Sequence, residues 1–222
     1  ANKGIGKETA RQLIAAGHTV YLGARNEQHG QTTAKELGAH YIHLDVTDDT
    51  SITTALTHIT TTNGGLDILI NNAGIGLNGL NGPEALQLFD TNVVGIIRTT
   101  EAALPLLRRS ENPVVVNVSS ALGSFWAVTN PERPAFHVPA IAYGASKAAV
   151  SMLTLQYAKA VPEVKFNAVE PGYTATELGG TDPATSAGRP AEVSARVVVR
   201  LACIGADGPT GTFQEDDGVL GW

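Results

Sequence analysis

The sequence predicts an α/β fold, a doubly wound parallel sheet with helices on both faces, and three observations carry that expectation. Short apolar runs alternate with helical stretches along most of the 222 residues, the pattern of a parallel sheet covered on both sides. Helical stretches close on glycine, at Gly17 and Gly38, where a chain leaving a helix needs a left-handed residue. Polar residues stand just after the apolar runs, namely Arg25, Asp45, Asn71, Asn72, Ser120 and the pair Pro171-Gly172. Such a sheet keeps its ligand crevice outside the strand C-termini. Turn chemistry also favours these residue types, so the set counts for more than any member.

The elements follow in order. Ala1-Asn-Lys-Gly-Ile-Gly6 has no strand before it and leads into a helix over Lys7–Ala16. A Gly-rich turn feeding a helix is an anion site, because free backbone N–H groups and the helix dipole point at the ligand. Thr19–Leu22 reads as a buried strand, Glu27–Leu37 as a helix and Tyr41–Leu44 as a strand. Asp48 or Asp49 caps a helix reaching about Thr62. Leu66–Ile70 is a strand running into Asn71-Asn-Ala-Gly74, and a long helix covers roughly Glu84–Arg109, with Pro105 bending it. Val114–Val118 is a strand, and the loop from Ala121 to Ala140 holds three prolines. A helix from the Tyr143 region to about Lys159, a strand over Val164–Val169 and a Gly/Thr/Pro-rich loop over Pro171–Pro190 come next. Pro190 suits the first turn of a helix over Ala191–Cys203, and Thr212-Phe-Gln starts a last short strand.

Composition narrows the class. The length fits one domain over residues 1–222, and 43% hydrophobic residues are ample for a large core. A net charge of −6 with scattered basic residues argues against nucleic-acid binding. No apolar run approaches a membrane span. Cys203 is the only cysteine, which suits a reducing compartment, and no signal peptide is visible, so a cytoplasmic location is expected. The six histidines lack metal-ligand spacing, so no metal site is expected.

The stretch Ala142-Tyr-Gly-Ala-Ser-Lys-Ala-Ala-Val150 sets Tyr143 and Lys147 four residues apart. On a helix they share one face, a turn apart. The ammonium and the helix dipole both favour the phenolate, which moves a tyrosine from its usual pKa of about 10 toward neutrality. Such a tyrosine gives or takes a proton readily.

Taken together, these motifs resemble the short-chain dehydrogenase/reductase family. The matching pieces are Asn2-Lys-Gly-Ile-Gly6, Leu44-Asp-Val46, Asn71-Asn-Ala-Gly74, Asn92 in Thr91-Asn-Val, Ser120 in Asn117-Val-Ser-Ser120, Tyr143-x-x-x-Lys147 and Pro171-Gly-Tyr-Thr-Ala-Thr176. They occur in family order over most of the chain. The resemblance is closest to NADP(H)-preferring carbonyl reductases, and it implies a Rossmann-type fold and hydride transfer between a carbonyl and an alcohol. Tyr143 would be the general acid or base, and Lys147 would lower its pKa and hold the nicotinamide ribose. Ser120, chosen over Ser119 by the spacing Ser120-Ala-Leu-Gly123, would bond the substrate carbonyl oxygen. Asn92 would hold a water linking Lys147 to solvent.

For the cofactor, the resemblance implies that Lys3, Gly4, Ile5 and Gly6 form the Gly-rich turn. Asp45 and the Val46 backbone would meet the adenine, and Asn72, Ala73 and Gly74 the adenosine ribose. Pro171, Gly172 and Thr174 would meet the carboxamide, and Thr176 the pyrophosphate. Ala24 stands where NAD enzymes carry an acidic residue, with Arg25 after it and Lys3 in the turn. Two cations and no carboxylate suit the 2′-phosphate of NADP(H) over NAD(H).

Three departures from the family pattern bear on this. Its first strand and leading Thr-Gly are absent, which implies about ten residues missing ahead of Ala1; without that mid-sheet strand two neighbours stay unpaired and apolar surface is exposed. Ser120 and Tyr143 are 23 residues apart, longer than usual. The extra segment Phe125–Phe136 either walls the substrate pocket or is a packed loop, and it leans toward a monomer by covering a face many members use for dimerisation. The segment from Gly74 to Asn92 is short, which trims the pocket edge. The loop over Pro171–Pro190 is expected to close over the nicotinamide. A small-molecule carbonyl or alcohol is the expected substrate. A non-catalytic NADP(H) sensor or scaffold, or an epimerase or dehydratase on this fold, are the alternatives.

Overall fold

The computed structural model describes residues 1–76, 81–180 and 182–222. In chain order the elements are α1 (Gly4–Ala15), β1 (Tyr21–Ala24), α2 (Glu27–Leu37), β2 (His40–His43), α3 (Asp49–Asn63), β3 (Ile68–Asn71) and α4 (Gly82–Phe89). A π-helical turn (Asp90–Val94), α5 (Gly95–Leu107), β4 (Val114–Val118), α6 (Phe125–Thr129), α7 (Ile141–Ala160), β5 (Lys165–Val169), α8 (Ala191–Ala202), β6 (Thr212–Glu215) and β7 (Gly218–Val219) follow. Side-chain caps fix the starts of α2, α3 and α4: Asn26 accepts from His29 N, Asp48 from Thr50 N and Asn81 from Glu84 N.

The strands pair in parallel except the last, which turns back antiparallel on β6. They form two sheets, β1-β2 and β3-β4-β5-β6-β7. A cavity of about 280 Å³ lies between the two sheets, lined on one side by Tyr21, Leu22 and Gly23 and on the other by Ile68, Leu69 and Ile70. Its remaining walls are largely apolar, with Leu13 from α1 and Ile52 and Ile59 from α3.

β4 shows why the strands are apolar runs. All five of its residues are buried. Val114, Val116 and Val118 pack with Leu13, Val197, Val198 and Leu201 on the α1/α8 face. Val115 packs with Ile52, Leu107 and Phe166 on the opposite face. Asn117, on that second face, is also fully buried and is accommodated by pairing. It stands in register with Asn71 and accepts from Asn71 Nδ2 at 2.8 Å, while its own Nδ2 donates to Thr154 Oγ1 at 2.9 Å. Asn71 Nδ2 also donates to Thr100 Oγ1 at 3.1 Å. This polar ladder locks α5 and α7 to the strand ends that carry the site.

Several expectations are corrected. α1 begins at Gly4 rather than Lys7, so Gly4, Ile5 and Gly6 are its first turn. The long helix is broken by the π-helical turn, where Asn92 spends its side chain on Ile75; Pro105 is accommodated inside α5. The 121–140 loop contains α6, capped by Ser124, whose Oγ accepts from Ala127 N and donates to Gly221 O at 2.6 Å. β7 is only two residues long, too short for any periodicity. The shortened edge between Gly74 and Asn92 lies partly on residues 77–80, and the loop over Pro171–Pro190 includes residue 181; both fall outside the described residues.

Asn117→Ala removes the centre of the ladder and strands the amide of Asn71 in the interior. The expected loss is about 1–3 kcal/mol, read by urea unfolding; a change below about 0.5 kcal/mol, the scale of an ordinary surface substitution, would refute this account.

Candidate active site

Tyr143 and Lys147 sit one turn apart near the start of α7 and face the same space: Lys147 Nζ lies 5.6 Å from the Tyr143 ring centroid. Lys147 is 5% exposed, and its Nζ donates to Val118 O, the last carbonyl of β4, at 2.8 Å. Burial lowers its pKa to about 8, with the charge of Glu170 working the other way. The expected depression of the Tyr143 pKa is not found. Burial pushes the phenol above its usual range, Glu170 adds to this, and only the Ser120 hydroxyl acts in the opposite sense. The reason is geometric: the ammonium lies over the ring and bonds a carbonyl, while the phenol is partly buried.

Ser119 and Ser120 end β4 differently. Ser119 is 2% exposed, donates to Lys147 O at 3.1 Å and pairs with Ser151 Oγ at 3.0 Å, so its hydroxyl is used in anchoring α7. Ser120 is only partly buried, caps the short turn Ala121–Gly123 by accepting from Leu122 N, and faces Tyr143 and Glu170. The turn presses on α7 so closely that a Cβ on Gly123 would meet the Lys147 backbone and lie 2.5 Å from Ala148 N. Glycine is required there for proximity.

Asn92 reaches the same site from the π-helical turn. It is 1% exposed; Oδ1 accepts from Ile75 N at 2.8 Å, and Nδ2 donates to Ile75 O at 3.0 Å and Ser146 Oγ at 3.2 Å. Ser146 Oγ donates to Tyr143 O at 2.8 Å. A Cβ on Gly74 would sit 3.4 Å from Asn92 Oδ1 and 3.6 Å from Lys147 Nζ, so both groups border that glycine.

The residues expected to hold the cofactor are placed as follows. Lys3 starts α1 without any side-chain cap, which leaves the first N–H groups of that helix open to an anion. Gly6 is glycine because a Cβ would meet Asn72 Nδ2 at 2.7 Å, and Gly4 (φ +55°) faces Thr176, at 3.1 Å by the same measure. This bare helix end, cradled by Asn72 and Thr176, fits a pyrophosphate. Asp45 is partly buried; burial works against its charge, but Thr47 N at 2.9 Å and Thr47 Oγ1 at 2.7 Å, helped by the charges of Arg25 and His43, hold its pKa below the usual value. Val46 packs against Gly95, and Ala73 is exposed beside Gly74. Thr174 Oγ1 donates to Gly172 O at 2.8 Å and pairs with Ser194 Oγ. Pro171 O accepts from Arg189 Nε at 2.9 Å, under Gly172 (φ +77°).

Ile5 and Lys3 depart from the expectation. Ile5 packs into the α1/α8 core. Lys3 is paired with Glu177, a carboxylate the sequence reading did not weigh. Arg25 makes no ion pair within 4 Å among the described residues, so it carries the positive charge of that end. Glu170 was missed as well. Its signal was a carboxylate directly after the apolar pair Ala168-Val169 at the end of β5, an expensive place for a charge.

A doubly wound α/β sheet with a helix N-terminus and a Tyr–Lys pair at its C-terminal edge defines a nucleotide-crevice protein. A family model described as short chain dehydrogenase matches residues 1–186, and the chain belongs to the short-chain dehydrogenase/reductase family. It is 33% identical to short-chain dehydrogenase/reductase ATR10 of Stachybotrys chlorohalonatus, over 98% of this chain and 86% of that one. It is 32% identical to the (+)-neomenthol dehydrogenase of Arabidopsis thaliana, over 96% and 93%. Among solved structures it superposes on the NADPH-bound carbonyl reductase from chicken fatty liver with TM-score 0.86 and 26% identity, covering all of this chain and 96% of that one. Among the described residues no helix is long and apolar enough to cross a membrane, and no group of three or more His, Cys, Asp or Glu is placed to hold a metal.

Two predictions follow from this packing. Gly123→Ala forces the turn off α7 and costs about 1–3 kcal/mol as overpacking, read as a lowered thermal midpoint; an unchanged midpoint would disprove the close fit. Lys147→Met removes a buried cation and raises the midpoint by a few degrees at pH 7. Because the folded pKa lies below the unfolded one, the native state binds fewer protons between about 8 and the ordinary value of 10.5. Wild-type stability therefore gains as pH rises through that window, and the advantage of Lys147→Met should shrink across it; a constant advantage would contradict the assignment.

Proposed function

We propose that the protein is an NADP(H)-dependent oxidoreductase interconverting a carbonyl and an alcohol, with Tyr143 as general acid and base. The observation that carries this is the convergence of Tyr143, Ser120 and Lys147 on one space between the ends of β4 and β5. When bound, the nicotinamide supplies or accepts the hydride. The protein's part is to hold the carbonyl oxygen between two hydroxyls. Ser120 donates to that oxygen as negative charge grows on it, and Tyr143 Oη delivers its proton to it, completing the alcohol. In the reverse direction Tyr143 takes that proton. A phenol kept protonated by burial is ready for the reductive direction. Lys147 holds the ribose hydroxyls, and Asn92, bonded to Ile75 and Ser146, steadies the wall beside it and the water path to Lys147.

The cofactor end rests on the uncapped start of α1 for the pyrophosphate, with Thr176 beside it, and on Asp45, Val46, Asn72, Ala73 and Gly74 for the adenosine. Pro171, Gly172 and Thr174 present backbone groups to the carboxamide. Preference for NADP(H) rests on Arg25 after β1, where no acidic residue stands; Lys3 contributes less, being neutralised by Glu177. The structural similarity to an NADPH-bound carbonyl reductase supports the same choice.

The test is NADPH oxidation against a panel of aldehydes, ketones and quinones. Tyr143→Phe should lower kcat/KM by about 10²–10⁴-fold, the range for losing a general acid; full activity in that variant ends the reading. For the cofactor, Arg25→Ala should weaken NADPH about tenfold more than NADH, as expected for one charge-assisted contact. Equal weakening, or tighter NADH binding by the unaltered protein, removes the preference.

A further inference from the structure

One carboxylate in the crevice has no part in the chemistry above. Glu170 follows β5 directly and is 8% exposed. Burying a carboxylate is costly unless its oxygens are satisfied, and here backbone satisfies them. Oε1 accepts from Gly172 N at 2.7 Å, and Oε2 accepts from Ala121 N. Glu170 N donates to Gln214 O in β6 at 2.8 Å. One residue thus ties together the chain after β4, the chain after β5 and the neighbouring strand. Among the described residues no cation lies within ion-pairing distance of it. The charged and titratable groups facing it are Tyr143 and Lys147 from α7, Arg133 from the segment after α6, and Glu215 from β6. Arg133 is taken up by an ion pair with Glu215.

We propose that Glu170 is a positioning residue of this site: its carboxylate clasps the loop bearing Ser120 to the loop bearing Gly172, and its negative charge keeps Tyr143 in the protonated form from which carbonyl reduction starts. The clasp acts on geometry. Ala121 N is the amide next to Ser120, and Gly172 N lies in the loop assigned to the carboxamide, so one side chain fixes the distance between the substrate hydroxyl donor and the cofactor loop. The charge acts on protonation. A buried negative charge opposes a second one on the phenol, adding to the burial that raises Tyr143, and on Lys147 it partly offsets the burial that lowers that pKa. The Glu170 carboxyl itself stands above its usual range, raised by burial and by the charge of Glu215, while the amides of Ala121 and Gly172 and the Ser120 hydroxyl work the other way and favour its ionised form.

The turnover half of this inference rests on Tyr143 as the proton donor, so the experiment has two readouts. In the first, Glu170→Gln removes the charge and keeps the shape. The alkaline rise of alcohol oxidation should move to lower pH by on the order of one unit, and the alkaline fall of carbonyl reduction should move with it. Glu170→Asp keeps the charge and shortens the clasp; it should retain the wild-type pH midpoint while kcat falls. Superposable profiles for wild type and E170Q, or wild-type kcat in E170D, overturn the proposal, and E170D alone decides the clasp if E170Q fails to fold. In the second, tyrosinate absorbance is titrated in wild type and E170Q, each against its Tyr143→Phe counterpart. Earlier ionisation of Tyr143 in E170Q supports the charge effect whether or not any substrate turns over, and unchanged ionisation refutes it. Loss of all turnover in wild type with the spectral shift intact would sink the oxidoreductase reading and leave the Glu170 inference standing.

Discussion

Lys147 is a cation taken out of water and held by one carbonyl, that of Val118, and the architecture around the site follows from it. An ammonium so placed is costly, so its surroundings must be tight and polar where it points. The turn after β4 meets the helix backbone with glycine at 123 because no Cβ fits. The strip between Asn92 Oδ1 and Lys147 Nζ is likewise bordered by glycine, at 74. Ser119, the other hydroxyl at the end of β4, is instead used to hold α7 at Lys147 O and Ser151 Oγ. The outcome is a stiff frame in which Ser120 and Tyr143 face the crevice on elements that cannot shift independently.

The same frame explains why the phenol behaves differently from the expectation built on the Tyr-x-x-x-Lys spacing. Spacing places two side chains on one helical face, and it did so here: the pair is 5.6 Å apart, measured from Nζ to the ring centroid. Spacing does not say how much water remains or which other charges arrive from distant segments. Tyr143 is desolvated by tertiary packing, and Glu170 comes to it from 27 residues downstream. Both effects oppose ionisation, and together they exceed what the Ser120 hydroxyl returns. This balance keeps the phenol protonated, the form that the proposed acid role requires.

What the sequence disclosed and what it concealed divide along that line. Alternation and strand-end polarity were enough for the parallel sheet, for the helix of Tyr143 and Lys147, and for the crevice edge running through Arg25, Asp45, Asn72, Ser120 and Gly172, because each depends on neighbours a few residues away. The break at Asp90–Val94 was hidden, since it arises when Asn92 bonds the backbone of Ile75 across a loop. The two-residue β7 was too short to show a period. Lys3 read as a free cation until the fold brought Glu177 to it from 174 residues away. Ile5, inside the glycine motif, turned out to serve the core. Apart from β7, each of these misses is a long-range pairing.

The crevice edge is assembled from separate strand ends. Arg25 and Asp45 follow β1 and β2, while Asn72, Ser120 and Gly172 follow β3, β4 and β5. The core beneath joins them: Ile42 of β2 packs in one cluster with Val115 of β4 and Phe166 of β5. A dinucleotide lying along the edge would touch these strand ends together, and a ligand that binds the native state alone stabilises it by mass action. On the proposed reading, cofactor occupancy and the alignment of the strand ends are therefore linked.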